Sequence, residues 1–251
     1  MSKIALITGA SAGIGAATAH LFASHGYDLL LLARREDRLE KLSSDLMAKF
    51  SIKIRYLVVD VRNKEEVDQL EDLESDWKKI DVLVNNAGLS QGLDPIQNGS
   101  LQDWDAMIDT NIKGLLYVTK IVSNWMISKG GGHIVNLGSI AGKETYLNGN
   151  VYCATKFAVN SLNTAMRIDL LPHKIKVTVI NPGAVETEFS EVRFKGDKGR
   201  AKKVYDGFEP LHAQDVADTI WFAVSRPSHV NINELTVMPA AQANTTHTLR
   251  N

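Results

Sequence analysis

Apolar residues along this chain fall into short continuous runs, most of them cut off by a glycine, an acid or an amide. Ile4 to Thr8 ends at Gly9, Leu29 to Ala33 precedes Arg34, and Leu57 to Val59 ends at Asp60. Val82 to Val84 ends at Asn85, Ile134 to Leu137 at Gly138, and Val177 to Ile180 at Asn181-Pro182-Gly183. Continuous rather than alternating runs predict strands covered on both faces, as in a parallel sheet. Between them, amphipathic segments such as Arg38 to Phe50, Trp104 to Ser128 and Tyr152 to Leu171 predict helices. The alternation predicts a doubly wound α/β fold, a mostly parallel seven-stranded sheet with helices on both faces and right-handed crossovers. The chain shows no linker rich in Pro, Gly or Ser and no repeat, so residues 1–251 read as a single domain. Ligands of such sheets bind outside the carboxyl ends of the strands, where this chain concentrates its polar and glycine residues.

Composition narrows the function. The 251 residues can bury a substantial core without disulfides or a structural metal. Lys plus Arg is 28 against 29 acids, a net charge of −1, so there is no basic footprint for nucleic acid. Cys153 is the single cysteine, which fits a reducing compartment and rules out an internal disulfide. No run approaches the roughly 20 apolar residues of a membrane span, and Met1-Ser2-Lys3 leads straight into the first strand. A soluble, cytoplasmic protein without nucleic-acid or membrane partners is expected.

The first strand leads into Thr8-Gly9-Ala10-Ser11-Ala12-Gly13-Ile14-Gly15 and then a helical segment to about Ser24. Glycines permit a tight turn and close backbone approach, while a helix N-terminus offers unpaired N–H groups to a pyrophosphate. The spacing is G-x-x-x-G-x-G rather than G-x-G-x-x-G, but its place between strand and helix favours a nucleotide site. At the end of the second strand, an NAD-selecting protein usually carries an acid. This chain has Arg34-Arg35 there, and guanidinium groups bind the 2′-phosphate of NADP through charge-assisted hydrogen bonds. NADP(H) is the expected cofactor.

Further along, Tyr152 and Lys156 stand four residues apart and share one helix face. A tyrosine near its reference pKa of about 10 is a poor base at neutral pH, and a lysine cation favours its phenolate. On its own this spacing also describes many solvated helix faces.

Together, Thr8 to Gly15, Asn85-Asn86-Ala87-Gly88, Asn111, Ser139 and Tyr152-x-x-x-Lys156 resemble the short-chain dehydrogenase/reductase family, in order and spacing, across essentially the whole chain. The resemblance implies a Rossmann fold, with residues 1–90 mainly serving the cofactor. It implies cofactor contacts from Gly9, Ala10, Ser11, Gly13, Ile14, Gly15, Arg34 and Arg35. Asp60 and Val61 would lie near the adenine, and Asn86, Ala87 and Gly88 along the dinucleotide. Pro182, Gly183 and the segment Val185 to Phe189, including Thr187, would approach the nicotinamide carboxamide. In the chemistry so implied, Ser139 hydrogen-bonds the substrate oxygen and Tyr152 donates its proton as general acid. Lys156 binds the nicotinamide ribose and lowers the tyrosine pKa, while Asn111 holds a water relay from Lys156 to solvent. A homotetramer is implied as well, with the helices around Trp104–Ser128 and Tyr152–Leu171 at one interface and the last strand, Ile232–Met238, at another.

Residues 186–208 are polar and carry Arg193, Lys195, Lys198 and Arg200, and their position predicts a flap over the active site. Arg193 is the candidate to grip a substrate carboxylate, on position and guanidinium geometry. Asp60-Val61-Arg62-Asn63, Gly149 to Tyr152, Val192 to Asp197 and His229 to Asn233 look like an NADP-dependent 3-hydroxy acid dehydrogenase subgroup. That similarity implies serine, allo-threonine and related 3-hydroxy acids, or malonic semialdehyde in reduction. Leu147, Phe189 and Phe194 equally suit a pocket for bulkier, more apolar ketones. A non-enzymatic cofactor sensor is the remaining alternative, and the intact Asn111, Ser139, Tyr152, Lys156 set counts against it. The tail from 239 to 251 could cover an active site, its own or a neighbour's.

Overall fold

A computed structural model describes residues 2–251 of the chain. The strands are β1 (Ile4–Thr8), β2 (Asp28–Ala33), β3 (Ile54–Val58), β4 (Val82–Asn85), β5 (Gly132–Leu137), β6 (Ile175–Pro182) and β7 (Glu234–Val237). The α-helices are α1 (Gly13–Ser24), α2 (Glu36–Lys49), α3 (Lys64–Asp68), α4 (Leu101–Ile108), α5 (Leu115–Lys129), α6 (Asn150–Asp169), α7 (Phe189–Arg193), α8 (Lys198–Lys203) and α9 (Ala213–Val224). The strands form one sheet in the order β3-β2-β1-β4-β5-β6-β7, and every neighbouring pair is parallel. The predicted single-domain α/β fold is therefore present, with a sheet more uniformly parallel than expected.

Burial explains why the central strands read as continuous runs. Successive residues of β1 and β2 point to opposite faces, and both faces are covered. Ala5, Ile7, Leu29 and Leu31 pack beneath α1, α2 and α9 against Phe22, Leu39, Leu46 and Ile220. Leu6, Leu30, Leu32 and Leu83 pack on the other face against Val118, Val122, Met126 and Val159 from α5 and α6. Each such leucine or isoleucine removed from water contributes about 2 kcal/mol. The edge strands behave differently. Arg55 and Val58 of β3 are exposed, and β7 alternates exposed Glu234 and Thr236 with half-buried Leu235 and Val237. An edge with one covered face needs only alternation, so its apolar run is shorter and its limits harder to read.

The long helix expected over Trp104–Ser128 is split. Between α4 and α5, residues Asp109–Gly114 widen into a π-turn, with Asn111 buried in it. Such a turn breaks helical periodicity and sits next to functional groups more often than elsewhere. Sheet order reverses between β1 and β4, which places the ligand crevice at their carboxyl ends. The flap, with α7 and α8, leaves β6 past Pro182 and returns through a short parallel bridge between Val185 and Leu211. The C-terminal tail folds back on its own chain. Gln242 Oε1 accepts from Ala184 N at 2.8 Å, Asn251 N donates to Gly207 O at 2.8 Å, and the Arg250 guanidinium reaches Val204 O and Asp206 O. Among the described residues, no helix is long and apolar enough to cross a membrane.

Candidate active site

The β1–α1 turn is held by the end of β4. Thr8 Oγ1 accepts from Asn86 N at 3.0 Å and Ala87 N at 2.9 Å, while Asn86 Nδ2 donates to Thr8 O at 2.9 Å and Gly9 O at 3.2 Å. A Cβ at Gly15 would lie 2.6 Å from Asn86 Nδ2 and on top of the Gly9 carbonyl, so only glycine lets α1 start this close to the turn. Gly9 and Gly13 have φ values of +65° and +51°, the left-handed region that glycine enters freely. Ala12 precedes α1 without a side-chain oxygen to cap it, and the first turn carries no acid. Its N–H groups thus open on the cleft with their affinity for an anion intact.

At the other end of the cleft, burial alone would raise the Asp60 carboxyl. Hydrogen bonds from Arg62 and the charges of Arg62 and Arg34 outweigh that and hold it below the ordinary range. Arg34 touches Asp60 only at 3.9 Å, and its side chain is 57% exposed. Arg35 is more engaged: Nε and Nη2 each lie 3.3 Å from Ser11 Oγ, and Nη1 lies 2.8 Å from Glu188 Oε2.

The tyrosine, lysine and serine of the sequence pattern meet midway. Tyr152 and Lys156 share one face of α6, both buried, with Ser139 at the end of β5 beside them. Lys156 Nζ donates to Leu137 O at 2.8 Å and lies 6.0 Å from the Tyr152 ring centroid. Burial pushes Lys156 down to about 8. It pushes Tyr152 up, partly offset by the Arg193 charge and the Ser139 hydroxyl. Two cations thus stand near the phenol, with Arg193 Cζ 5.2 Å and Lys156 Nζ 6.0 Å from its ring centroid. Asn111 clamps the strand end behind this site. Its Nδ2 donates to Leu89 O at 2.8 Å and Thr155 Oγ1 at 3.0 Å, and its Oδ1 accepts from Leu89 N at 2.9 Å. Both amide protons are thus spent on protein, which leaves the side chain positioning Leu89.

Arg193, at the end of α7, stands beside the tyrosine, outside the lining of the cleft. Its guanidinium lies 5.2 Å from the ring centroids of both Tyr152 and Phe189. Nε donates to Ser90 Oγ at 3.1 Å and Nη2 to the Tyr146 hydroxyl at 3.0 Å. Burial raises the Tyr146 pKa, so its phenol stays neutral and its own proton is free for another acceptor.

One continuous cleft is lined by Gly9, Ser11, Gly13, Ile14, Arg34, Arg35, Asp60, Val61, Asn86, Ala87, Gly88, Ser139, Tyr152, Lys156, Pro182, Gly183, Val185, Thr187 and Phe189. Ala10 is instead fully buried under the turn, its N–H bonded to Leu32 O at 3.2 Å. Gly15 packs behind the lining, as does Asn111. The sequence reading missed Thr8 as the staple of the turn, Ser90 and Tyr146 as holders of Arg193, and Glu188 as partner of Arg35. Thr8 was visible at a strand end beside the glycines. The others depend on contacts spanning 47 to 153 residues, with no local signal.

The short chain dehydrogenase family model matches residues 3–198. An NADP-dependent 3-hydroxy acid dehydrogenase of Escherichia coli is 43% identical over 242 residues, 96% of each chain. Sulfoacetaldehyde reductase 2 of Chromohalobacter salexigens is 43% identical over 245 residues, covering 97% of this chain and 96% of the other. Among solved structures, the closed form of a serine dehydrogenase complexed with NADP+ superposes with a TM-score of 0.91 at 42% identity, covering 99% of both chains. The chain belongs to the short-chain dehydrogenase family.

Proposed function

We propose that this protein is an NADP(H)-dependent oxidoreductase interconverting small 3-hydroxy acids and their 3-oxo counterparts, such as serine, allo-threonine or malonic semialdehyde. The uncapped start of α1, with no acid in its first turn, fits a pyrophosphate, and exposed Arg34 fits a 2′-phosphate. NADP supplies the hydride acceptor or donor when bound. The protein's part is proton transfer and charge stabilisation. Ser139 donates a hydrogen bond to the substrate oxygen as negative charge grows there, and Tyr152 delivers the proton to it. In the reverse direction the Tyr152 phenolate takes that proton from the alcohol. Lys156, buried and held on Leu137 O, is suited to bond a ribose hydroxyl of the cofactor.

The observation that carries the substrate class is Arg193. A guanidinium fixed by Ser90 and Tyr146 and set 5.2 Å from the catalytic ring centroid suits an acid group one or two carbons from the reacting carbon. A steady-state screen should favour malonic semialdehyde, serine and allo-threonine over bulky ketones. Arg193→Ala should lower kcat/KM for the acids by about 10- to 100-fold, the worth of a charge-assisted hydrogen bond. Uncharged aldehydes should change far less. Equal losses on both, or activity confined to bulky ketones, would remove the 3-hydroxy acid assignment. The sulfoacetaldehyde reductase among the relatives makes sulfoacetaldehyde the informative extra substrate, since it presents a sulfonate where malonic semialdehyde presents a carboxylate.

A further inference from the structure

The flap is fastened at two ends, and one fastening crosses the dinucleotide cleft. On the substrate side, Arg193 holds Ser90 and Tyr146, Gly92 N donates to Arg193 O at 3.1 Å, and Lys195 pairs with Asp103 at 2.9 Å. On the adenosine side, the Glu188 carboxylate reaches α2. Its Oε2 lies 2.8 Å from Arg35 Nη1 and its Oε1 2.6 Å from Arg38 Nη1. Arg35 and Arg38 are three residues apart at the start of α2, so both guanidiniums meet one carboxylate from the same helix face.

The neighbours of Glu188 tie it to the cleft. Thr187, just before it, packs its methyl group towards Gly13 of the glycine turn, 3.2 Å from where a Cβ would stand. Phe189, just after it, lies 5.7 Å from the Tyr152 ring. Moving this carboxylate away from α2 therefore moves the residues that border the cleft over its middle. An exposed ion pair alone contributes little, and these side chains are about two-fifths exposed. Here, however, one carboxylate joins two guanidiniums, and the link closes a flap with few other ties on that side. The arrangement also divides the arginines. Arg35 is spent on Glu188 and Ser11, which leaves Arg34 as the freer guanidinium for a phosphate.

We propose that Glu188 is a latch: through Arg35 and Arg38 it holds the flap shut over the dinucleotide, and its release sets the rate at which NADP(H) leaves. This rests on the NADP reading above and is independent of the substrate assignment. Glu188 is a positioning residue here and takes no part in the chemistry.

A plain alternative predicts the opposite sign. If the carboxylate merely stood near the 2′-phosphate and repelled it, removing its charge would tighten cofactor binding. The test is NADPH release, followed by the fall in cofactor fluorescence when excess NADP+ is added, for wild type, Glu188→Gln, Arg38→Ala and the double variant. Glu188→Gln should speed release about fivefold, as expected for loss of about 1 kcal/mol, Arg38→Ala less because Arg35 still holds the carboxylate, and the double variant little more than Glu188→Gln because the carboxylate is already gone. Release that is unchanged or slower in Glu188→Gln overturns the latch. A wild-type protein that binds no NADPH overturns the cofactor reading instead. The latch can still be judged on the cofactor-free protein by hydrogen exchange. Backbone amides of residues 189–205 should exchange several-fold faster in Glu188→Gln, Glu188→Ala and Arg38→Ala, while those of α5 keep their protection. Equal exchange in the flap would overturn it by that route too.

Discussion

A lysine whose proton is loosened by burial is the most telling single residue. Lys156 is buried against Leu137 O with its pKa brought down to about 8 from 10.5, so at neutral pH the folded protein carries a cation it has poorly solvated. The unfolded chain holds its proton up to pH 10.5 and the folded chain only up to about 8. Between those values the unfolded state binds more protons, so stability rises with pH. It is lost again as pH falls through the same window, and below 8 the full cost of the buried charge is present. Replacing Lys156 with Met removes this titration. Urea titrations at pH 7.5 and pH 10.5 should therefore show wild type gaining about 3 kcal/mol relative to Lys156→Met. A pH-independent difference would mean the amine is neutral, or solvated, throughout. The sequence exposed the Tyr152–Lys156 pair because helical spacing is local information. It could not reveal that burial governs both groups, or that Arg193 brings a second cation to the phenol.

Among the elements, the β1–α1 unit shows how a turn can reverse a propensity rule. An alanine in place of a helical glycine ordinarily stabilises by about 0.5–1 kcal/mol. At Gly15 the added carbon would stand 2.6 Å from Asn86 Nδ2 and against Gly9 O, atoms that fasten the turn to β4. Gly15→Ala should therefore destabilise, by about 1–3 kcal/mol as for other overpacked sites, and lower Tm by several degrees. Thermal melts of the cofactor-free protein decide it, and an unchanged or raised Tm would show that α1 can slide outward at little cost. The central strands were legible because burial on both faces writes an unbroken apolar run, as in Leu29 to Ala33. β3 and β7 were less so, since an edge needs only one apolar face. The π-turn around Asn111 was not legible: its six residues lie inside a long amphipathic stretch that predicts one helix. Glu188 was equally hidden, because its partners lie 150 and 153 residues away.

At the scale of the whole molecule, one helical layer shows more large apolar side chains to solvent than the other, where Met47 and Phe222 are exposed. In the layer of α4, α5 and α6, Leu101, Ile108, Leu116, Phe157 and Ile168 are exposed. Phe157 and Ile168 are eleven residues apart, about three helical turns, and so lie on one side of α6; Leu101 and Ile108, about two turns apart, do the same on α4. Side chains aligned this way along neighbouring helices form a stripe, which a self-complementary contact would cover. At the far edge of the sheet, β7 pairs only with β6 among the described residues, so a second contact is open to it. We propose that the chain forms a homotetramer through these two faces. Sedimentation velocity should give a particle of about four times the 27.6 kDa chain. Leu116→Lys with Ile168→Lys, both clear of the cleft lining, should reduce it to half that mass or less while far-UV circular dichroism keeps its helical signal. A wild-type monomer at micromolar concentration would end the proposal, and a tetramer unmoved by the lysines would transfer the contact to another surface.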